Sequence, residues 1–427
     1  MLFPVTYRVN AAGNMEVGGC DLVELARAHG TPLYVYDEAT VRQRASEYVA
    51  AMGSHGQVLY SAKAFASPQF LRVVAEEGLG LDVVSAGELH LALRSGFPQD
   101  RIHFLGNNKG REDVKAAYLA GATIVIDGDY EFELLEEVVP QGRRTPVMLR
   151  LSPGVKPDTH DHISTGQLDS KFGFSIESGA ARRAVEKALQ HPRLDVIGLH
   201  SHIGSQIFGH GAYEQAMSMM LVLLVSLRDE LGFEPRKLGA GGGLGIAYTR
   251  DDDPPTPRHF VEVVRHALVA GCIERGLKVP QLVVEPGRSI AGPAGMALYT
   301  VGSTKDIPGV RRYVAVDGGM GDNIRPKLYG ARYEAYLASD PDRAHDGKVT
   351  IAGKYCESTD ILISDIEMPP LRAGDVIALP AAGAYCLSMA SNYNGMPRPE
   401  VLMLNDGEAR VMRRRENLDD IIAAEVF

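Results

Sequence analysis

A lysine directly follows a short apolar and aromatic run in the stretch VLYSAKA, residues 58–64. The run is typical of a buried β-strand, and lysine is seldom buried without a partner. Lys63 is therefore either an ordinary lysine that reaches solvent beside a strand, which is the commoner case, or an amine held for nucleophilic chemistry. The residue types elsewhere in the chain decide between these two interpretations.

Two further segments carry residues that could hold an anionic cofactor. The run GAGGGLG, residues 239–245, lets backbone N–H groups approach phosphate oxygens, although glycines also make tight turns and are weak evidence alone. The segment EPGRS, residues 285–289, adds a carboxylate and an arginine. A lysine, a phosphate-binding glycine run and a buried carboxylate together indicate pyridoxal 5'-phosphate, with the lysine forming the Schiff base and the carboxylate keeping the ring nitrogen protonated.

A repeated pattern of short apolar runs separated by helix-length segments must position these residues. The eight runs cover residues 57–63, 81–85, 102–106, 123–127, 147–151, 196–202, 237–243 and 282–287. Amphipathic helix patterns lie between most of them, and one begins with a serine cap and a proline at Ser67 and Pro68. The count predicts a (β/α)8 TIM barrel, which takes about 250 residues, with a doubly wound parallel sheet as the alternative.

The candidate residues fall repeatedly at the carboxyl ends of the predicted strands, where a barrel carries its reactive groups. This convergence favours the chemical interpretation of the lysine. The residues predicted to face one mouth of the barrel are Lys63, Asp82, Asn107, Arg150, His200, His202, Gly241, Gly242, Gly243 and Glu285.

The pattern changes after about residue 290 to short alternating strands separated by Gly and Pro, as in KVTIAGKYCES and GDVIALP. Such a pattern predicts a mostly antiparallel β-domain, which we expect the amino-terminal strands to complete. We therefore place the barrel at residues 37–289 and the β-domain at residues 1–36 and 290–427.

The composition is that of an ordinary globular protein, since 45% of the 427 residues are hydrophobic and 23% are charged. A formal charge of −10 argues against a nucleic-acid surface, and no run approaches the length of a membrane span. Neither a disulfide framework nor a zinc site is indicated by the scattered cysteines, and no leader segment is evident. We expect a cytoplasmic protein with a small-molecule partner, no membrane and no bound metal. The four cysteines are Cys20, Cys272, Cys356 and Cys386.

Seven segments closely resemble the fold-type III pyridoxal-phosphate-dependent decarboxylases, and the resemblance covers nearly the whole chain. They are LYSAKAF, LDVVSAGEL, HSHIGSQ, GAGGGLG, EPGRSI, CESTD and GAYCLSMASNYNG. The most specific piece is the polar loop at residues 152–174, whose scattered acidic and imidazole side chains we do not expect to bind a metal. The resemblance implies an alanine-racemase-like barrel with a β-domain, bound pyridoxal phosphate, and a homodimer with shared active sites.

The resemblance also implies roles for single residues. Lys63 is the Schiff-base lysine, Glu285 bonds the pyridine nitrogen and His202 stacks on the ring, whereas His200 is expected to be an ordinary core histidine. Asp82 lies near the lysine, and the remaining cofactor contacts are assigned to Ser205, Gly243, Gly287, Arg288 and Tyr385.

Other residues are implied to act on the substrate. Cys356 and Glu357 reach into the neighbouring subunit's site, where the Cys356 thiol returns a proton to the α-carbon. One departure from the family is that Thr359 stands where relatives commonly have glycine, which puts the local backbone geometry in question. The substrate's far carboxylate is assigned to Arg288, Arg325 and Tyr329 and its far ammonium group to Glu357, whereas Tyr385 is assigned to the cofactor or the substrate.

The charges of that pocket decide the expected substrate. A diamine-forming decarboxylase needs only an anionic pocket, whereas Arg288 and Arg325 with Glu357 suit a second amino-acid head group. We therefore predict decarboxylation of meso-2,6-diaminopimelate to L-lysine and CO2, the last step of lysine biosynthesis. The alternatives are an ornithine or carboxynorspermidine decarboxylase, a non-catalytic carrier of the cofactor, and a structural protein.

Overall fold

The structure is a computed structural model that describes residues 1–155 and 170–427. The described chain forms two compact units. The barrel unit comprises Arg44–Gly245 and Pro254–Ser289, and the β unit comprises Met1–Gln43, Ile246–Asp253 and Ile290–Phe427.

Parallel strands in the barrel unit close into an eight-stranded barrel within the described ranges. Each strand pairs with the next, and the last pairs with the first through Val284 opposite Val58. The strands are Gly56–Ser61, Gly80–Val83, Ile102–Phe104, Thr123–Ile126, Thr145–Ser152, Leu194–Ser201, Lys237–Gly241 and Gln281–Val284. This closure confirms the predicted TIM barrel and excludes the doubly wound sheet, which has open edges.

Two of the helices between these strands begin at serine caps. Ser67 accepts a hydrogen bond from the Phe70 N–H at 3.2 Å, and Pro68 occupies the first turn of its helix. Ser85 caps the next helix in the same way. The helices of the barrel region are Glu38–Met52, Pro68–Glu76, Ala86–Arg94, Arg111–Leu119, Tyr130–Val138, Ala180–Gln190, Gly211–Leu231, Pro257–Glu274 and Arg288–Ala294.

A mixed sheet, mostly antiparallel, forms the β unit. Its amino-terminal strand Leu33–Asp37 lies between Gly295–Ile307 and Glu400–Asn405, so the start of the chain pairs with strands from its carboxyl-terminal part. In order across the sheet, the strands are Ile361–Met368, Gly347–Ala352, Arg311–Val316, Gly295–Ile307, Leu33–Asp37, Glu400–Asn405 and Glu408–Arg413. The strand Val376–Leu379 pairs with Gly295–Ile307 on one side and with the short strand Tyr336–Leu337 on the other.

Short elements complete the β unit. A small sheet of Arg8–Val9, Met15–Val17 and Cys20–Asp21 precedes the helix Leu22–His29, which the Asp21 side chain caps. Two further helices are Arg325–Tyr329 and Leu418–Ile421.

The segment Ile246–Asp253 packs within the β unit although it lies between two barrel strands in the sequence. The Arg250 backbone N–H donates to Glu334 Oε1 at 2.5 Å, and Arg250 Nε donates to the Tyr336 hydroxyl at 2.8 Å. These contacts join residues more than 80 positions apart in the chain. Tertiary hydrogen bonds therefore decide to which unit the segment belongs.

None of the helices in the described ranges is long and apolar enough to cross a membrane. Within the same ranges, no three His, Cys, Asp or Glu side chains are grouped so that they could hold a metal ion. Most of the polar loop discussed above, residues 156–169, lies outside the described residues.

Candidate active site

Lys63 lies in the short 3-10 turn Ala62–Ala64 that directly follows the first barrel strand, and its side chain is exposed. The buried Asp82 lies near the end of the neighbouring strand and accepts a hydrogen bond from the Ser61 hydroxyl. Burial and, after it, the charge of Glu285 raise the pKa of Asp82 to about 7 against the opposing positive charge of Lys63. An amine and a carboxylate that titrates near neutral pH therefore lie within electrostatic reach of each other.

Glu285 follows the last barrel strand and is only 6% exposed. Its Oε2 atom lies 3.0 Å from Nε2 of the buried His200. Burial disfavours the charged form, but the contact with His200 outweighs burial and holds the pKa of Glu285 below its ordinary value. The Glu285 carboxylate is therefore ionised at neutral pH.

The second oxygen of Glu285 has no hydrogen-bond partner within the described chain. Glu285 Oε1 is buried and unbonded, and so is Nδ1 of His200. Because a buried carboxylate oxygen without a donor is costly, such an atom indicates that a donor belongs beside it. The protonated ring nitrogen of the cofactor predicted from the sequence is a donor of this kind.

His202 is half-buried at the end of the sixth strand and accepts a hydrogen bond at Nδ1 from the Gly242 N–H at 3.2 Å. Burial and the neighbouring charges of Lys63 and Arg150 lower the pKa of His202 well below its ordinary value. The imidazole is consequently neutral at physiological pH. A neutral ring in this position can pack on the face of an aromatic cofactor.

The glycine run after the seventh strand packs too closely for side chains. Gly243 has φ of +108°, and a Cβ atom there would overlap the Gly204 carbonyl and lie 2.9 Å from the Tyr213 hydroxyl. The Ile207 N–H donates to the Gly243 carbonyl at 2.9 Å and fastens this run to the loop after the sixth strand. The two loops therefore pack closely against each other, and Gly243 leaves no room for a side chain between them.

Arg288 joins this cluster from the segment after the eighth strand. The buried Arg288 donates through Nη2 to the Ser205 hydroxyl at 2.9 Å. A Cβ atom at Gly287 would lie 2.9 Å from the Cβ of Ser61, so only glycine fits there. The structure therefore brings Ser205, Gly287 and Arg288 to the same end of the barrel as Lys63.

Five of the predicted residues belong to the β unit. Arg325 is buried, donates through Nη1 to the Tyr333 hydroxyl at 2.5 Å and lies 4.5 Å over the Tyr248 ring. Tyr329 ends the same short helix and is half-buried, and Tyr385 is half-buried with φ of +61°. Cys356 and Glu357 are exposed on the loop before strand Ile361–Met368.

Cys386 and Thr359 lie close in the sequence to residues predicted for the site. Cys386 is buried, as predicted for a small core side chain. Thr359 is not among the described non-glycine residues with positive φ, so its replacement of glycine introduces no left-handed strain into the loop.

Sequence reasoning missed several polar residues of the barrel. His200, expected to be an ordinary core histidine, is buried and hydrogen-bonded, but its partner Glu285 was not predicted. The period of two along a strand places His200 on the same face as His202, which was the available signal. The third strand contains the buried His103, whose pKa burial and Lys237 lower to about 3.

A buried charge network also escaped prediction. Lys109 Nζ lies 2.8 Å from Glu131 Oε2, and the side chains of both residues are almost completely buried. Asp127 pairs with Arg150 at 3.4 Å, and the Arg150 guanidinium lies 4.2 Å over the Phe172 ring. Lys109 lies in a loop and Glu131 in a helix, and neither position carries a sequence signal of such burial. Asn107, predicted at the mouth, is half-buried after the third strand.

Comparisons with known proteins extend the same picture over the whole chain. A sequence profile described as "Pyridoxal-dependent decarboxylase, pyridoxal binding domain" matches residues 38–292. The chain is 48% identical to the diaminopimelate decarboxylase of Bacillus subtilis, with 98% of this chain and 96% of that protein covered.

Solved structures show the same similarity. The diaminopimelate decarboxylase of M. jannaschii in co-complex with L-lysine has a TM-score of 0.92 and 34% identity, and the match covers 100% of this chain and 99% of that one. The Helicobacter pylori diaminopimelate decarboxylase complexed with L-lysine has a TM-score of 0.86 and 30% identity, with 94% and 98% covered. The similarity thus spans both units.

Proposed function

The chain belongs to the diaminopimelate decarboxylase family of pyridoxal-dependent decarboxylases, and we propose that it converts meso-2,6-diaminopimelate to L-lysine and CO2, the last step of lysine biosynthesis. The observation that carries the reaction type is the buried, ionised Glu285 with one oxygen free to accept a hydrogen bond. An arginine at this position would instead leave the ring nitrogen unprotonated. Family membership supports the choice of substrate.

The barrel residues fit pyridoxal 5'-phosphate. When bound, this cofactor supplies an electron sink for the electron pair that remains on the α-carbon when CO2 departs. Lys63 provides the amine that holds the cofactor covalently, and Glu285 retains the proton on the ring nitrogen through its charge. His200 holds the Glu285 carboxylate in place, and the neutral His202 would pack on the face of the ring.

A second group of barrel residues would hold the phosphate. Gly243 and Gly287 leave room for a phosphate to approach the backbone, and the Ser205 hydroxyl and the backbone N–H groups of Gly287 and Arg288 would donate to it. Asp82 lies within electrostatic reach of the Lys63 amine, with a pKa of about 7. At neutral pH its carboxyl group is thus present in both protonation states, and it can exchange a proton near the amine.

The substrate's far end needs a cation for its carboxylate and an acid for its ammonium group. We assign Arg288, Arg325 and Tyr329 to the carboxylate, and Glu357 to the ammonium group. Tyr385 is assigned to the cofactor or to the substrate. Glu357 and Cys356 are exposed, which supports their proposed contact with a substrate molecule.

We further propose a homodimer in which Cys356 and Glu357 of each subunit serve the site of the other. The Cys356 thiol returns a proton to the α-carbon, which thereby becomes the CH2 group that bears the side-chain amine of lysine. The carbon-carboxyl bond breaks, CO2 leaves, and the proton from the thiol takes its place. The exposed loop position of Cys356 and Glu357 suits side chains that contribute to the active site of another subunit.

The direct test measures lysine and CO2 release from meso-diaminopimelate by the purified holoenzyme, with ornithine, arginine and carboxynorspermidine as parallel substrates. We expect lysine release from meso-diaminopimelate with kcat/KM at least about 100-fold above the value for each other substrate, because a site built for a distal head group rejects analogues that leave its polar groups unpaired. Faster turnover of any of the other three substrates would contradict the substrate assignment. Absence of all turnover with bound cofactor would contradict the reaction itself.

A further inference from the structure

The loop that carries Cys356 and Glu357 combines exposed side chains with a tightly bonded backbone. Cys356, Glu357 and Ser358 are exposed, whereas Asp360 at the end of the loop is only 3% exposed. Asp360 Oδ2 accepts from the Tyr355 N–H at 2.9 Å, and Asp360 Oδ1 accepts from the Met320 N–H at 2.7 Å. One buried carboxylate thus bonds the loop to a second loop.

The second loop, residues 317–322, is shaped to receive this carboxylate. A Cβ atom at Gly319 would lie 2.5 Å from Asp360 Oδ1, and one at Gly353 would overlap Asp360 Oδ2. A Cβ atom at Gly321 would likewise overlap the Tyr355 ring, so the absence of a side chain there makes room for the tyrosine. The Lys354 N–H also donates to the Gly318 carbonyl at 3.0 Å, so backbone bonds reinforce the contact.

Asn394 holds the loop from its other side. Its side-chain oxygen accepts from the backbone N–H of Cys356 at 2.9 Å. Asn394 has φ of +55°, a conformation that Asn and Gly adopt more readily than other residues. The neighbouring Tyr393 stacks on Tyr355 with ring centroids 6.1 Å apart. The amide of Cys356 is therefore bonded directly to a side chain more than 30 positions away.

We propose that Asp360 and Asn394 are positioning residues for the reaction. They hold the backbone N–H groups of Tyr355 and Cys356 and thereby direct the thiol and the Glu357 carboxylate. This inference rests on the proposed function, in which Cys356 protonates the α-carbon. Proton transfer requires heavy atoms within hydrogen-bond reach, and a misplacement of about 1 Å costs about 100-fold in rate.

A purely structural role predicts different results. Asp360 is buried and bonds two amides, so its replacement also affects folding. Asn394 is exposed, so its bond to Cys356 contributes little to the stability of the β unit. Variants of Asn394 consequently separate positioning from stability.

The experiment compares three variants of the full-length holoenzyme with the wild type. Asn394→Gly tolerates the positive φ but removes the acceptor, whereas Asn394→Asp retains both. We expect Asn394→Gly to lower kcat about 10-fold with KM within twofold, and Asn394→Asp to restore kcat within twofold of the wild type. Asp360→Asn should lower kcat about 100-fold, because an amide group offers one acceptor to two N–H donors.

Asp37→Asn is the matched control. Asp37 is a buried carboxylate of the same unit that accepts from the Thr40 N–H at 3.0 Å and the Thr6 hydroxyl at 2.9 Å. We expect this variant to unfold at a lower temperature but to keep its kcat within twofold. Cofactor absorbance is recorded for every variant and should match that of the wild type.

Amide hydrogen exchange provides a readout that needs no substrate. Peptides that cover residues 353–360 should exchange faster in Asn394→Gly and Asp360→Asn, and at the wild-type rate in Asn394→Asp and Asp37→Asn. If the wild type releases no lysine, the proposed function fails while the exchange data still test the backbone contacts.

The inference would be overturned if Asn394→Gly kept the wild-type kcat. It would also be overturned if the kcat of Asn394→Asp were as low as that of Asn394→Gly. An equal loss of kcat in Asp360→Asn and Asp37→Asn would reduce Asp360 to a stability role. If Asp360→Asn does not fold, the Asn394 pair decides alone.

Discussion

Replacement of Glu285 by glutamine tests the electrostatic centre of the site. Glutamine keeps the size of the side chain but removes its charge and one of its two acceptor oxygens. In the wild type, Oε2 is 3.0 Å from His200 Nε2, and Oε1 is buried without a partner in the described chain. A glutamine whose oxygen accepts from His200 must direct its NH2 group at the ring nitrogen of the cofactor, where donor meets donor.

The expected loss follows from these contacts. A buried donor that loses its acceptor costs about 1–3 kcal/mol, and hydrogen bonds to a charged group are worth about 1 kcal/mol more than neutral ones. The sum is about 3 kcal/mol of transition-state stabilisation, which corresponds to about a 100-fold fall in kcat. Cofactor binding should persist, because Lys63 and the glycines proposed to approach the phosphate, Gly243 and Gly287, are unchanged.

The assay measures kcat for lysine release together with cofactor content and thermal unfolding. Glu400→Gln is the control, because Glu400 Oε1 also contacts a histidine, His29 Nδ1, at 2.8 Å, but in the β unit. This variant should keep kcat within twofold. If Glu285→Gln retains kcat within about threefold of the wild type at full cofactor content, another group keeps the ring nitrogen protonated and the reasoning is refuted.

Three further predictions concern Lys63, the shared sites and the buried ion pair. Lys63→Ala should lose both the visible absorbance of the lysine-bound cofactor and nearly all turnover, because both depend on its amine; a variant that keeps this absorbance after purification would contradict the assignment. Subunit exchange between inactive Lys63→Ala and Cys356→Ala homodimers should restore about a quarter of wild-type activity, since half of the dimers are mixed and one of their two sites is intact; recovery no greater than the sum of the parents, with heterodimer present, would place both residues in one subunit. Lys109→Met should lower the free energy of unfolding by about 3–5 kcal/mol in urea titrations, because Glu131 is left buried and unpaired, 2.8 Å from the lost Nζ; a loss below about 1 kcal/mol would show that Glu131 finds another partner or water.

Local patterns were sufficient to predict most elements of the fold. Apolar runs predicted each barrel strand to within about two residues at its start, because a strand buried on both faces must be apolar along its whole length. Ser67 and Pro68 predicted a helix start because they satisfy the first backbone N–H groups without tertiary help. The lysine, the glycine run and EPGRS predicted the cofactor class because this chemistry depends on residue type.

Other features depend on contacts between distant segments, which local patterns do not encode. The pairing of Gly56–Ser61 with Gln281–Val284 closes the barrel and separates it from an open sheet with the same rhythm. His200 looked ordinary because its partner, Glu285, is 85 positions away. Arg250 likewise bonds distant residues, Glu334 and Tyr336, and these contacts place residues 246–253 in the β unit and not in the barrel unit.

The sequence by itself thus determined the element types, the order of the strands and the reactive groups at their ends. It did so because hydrophobic period, capping and residue chemistry act over a few neighbouring positions. Only the tertiary structure decided which charges are buried together, as in Lys109 with Glu131, and which backbone holds Cys356, as with Asp360 and Asn394. Burial and hydrogen bonding at these sites depend on distances between residues that the chain brings together only after it has folded.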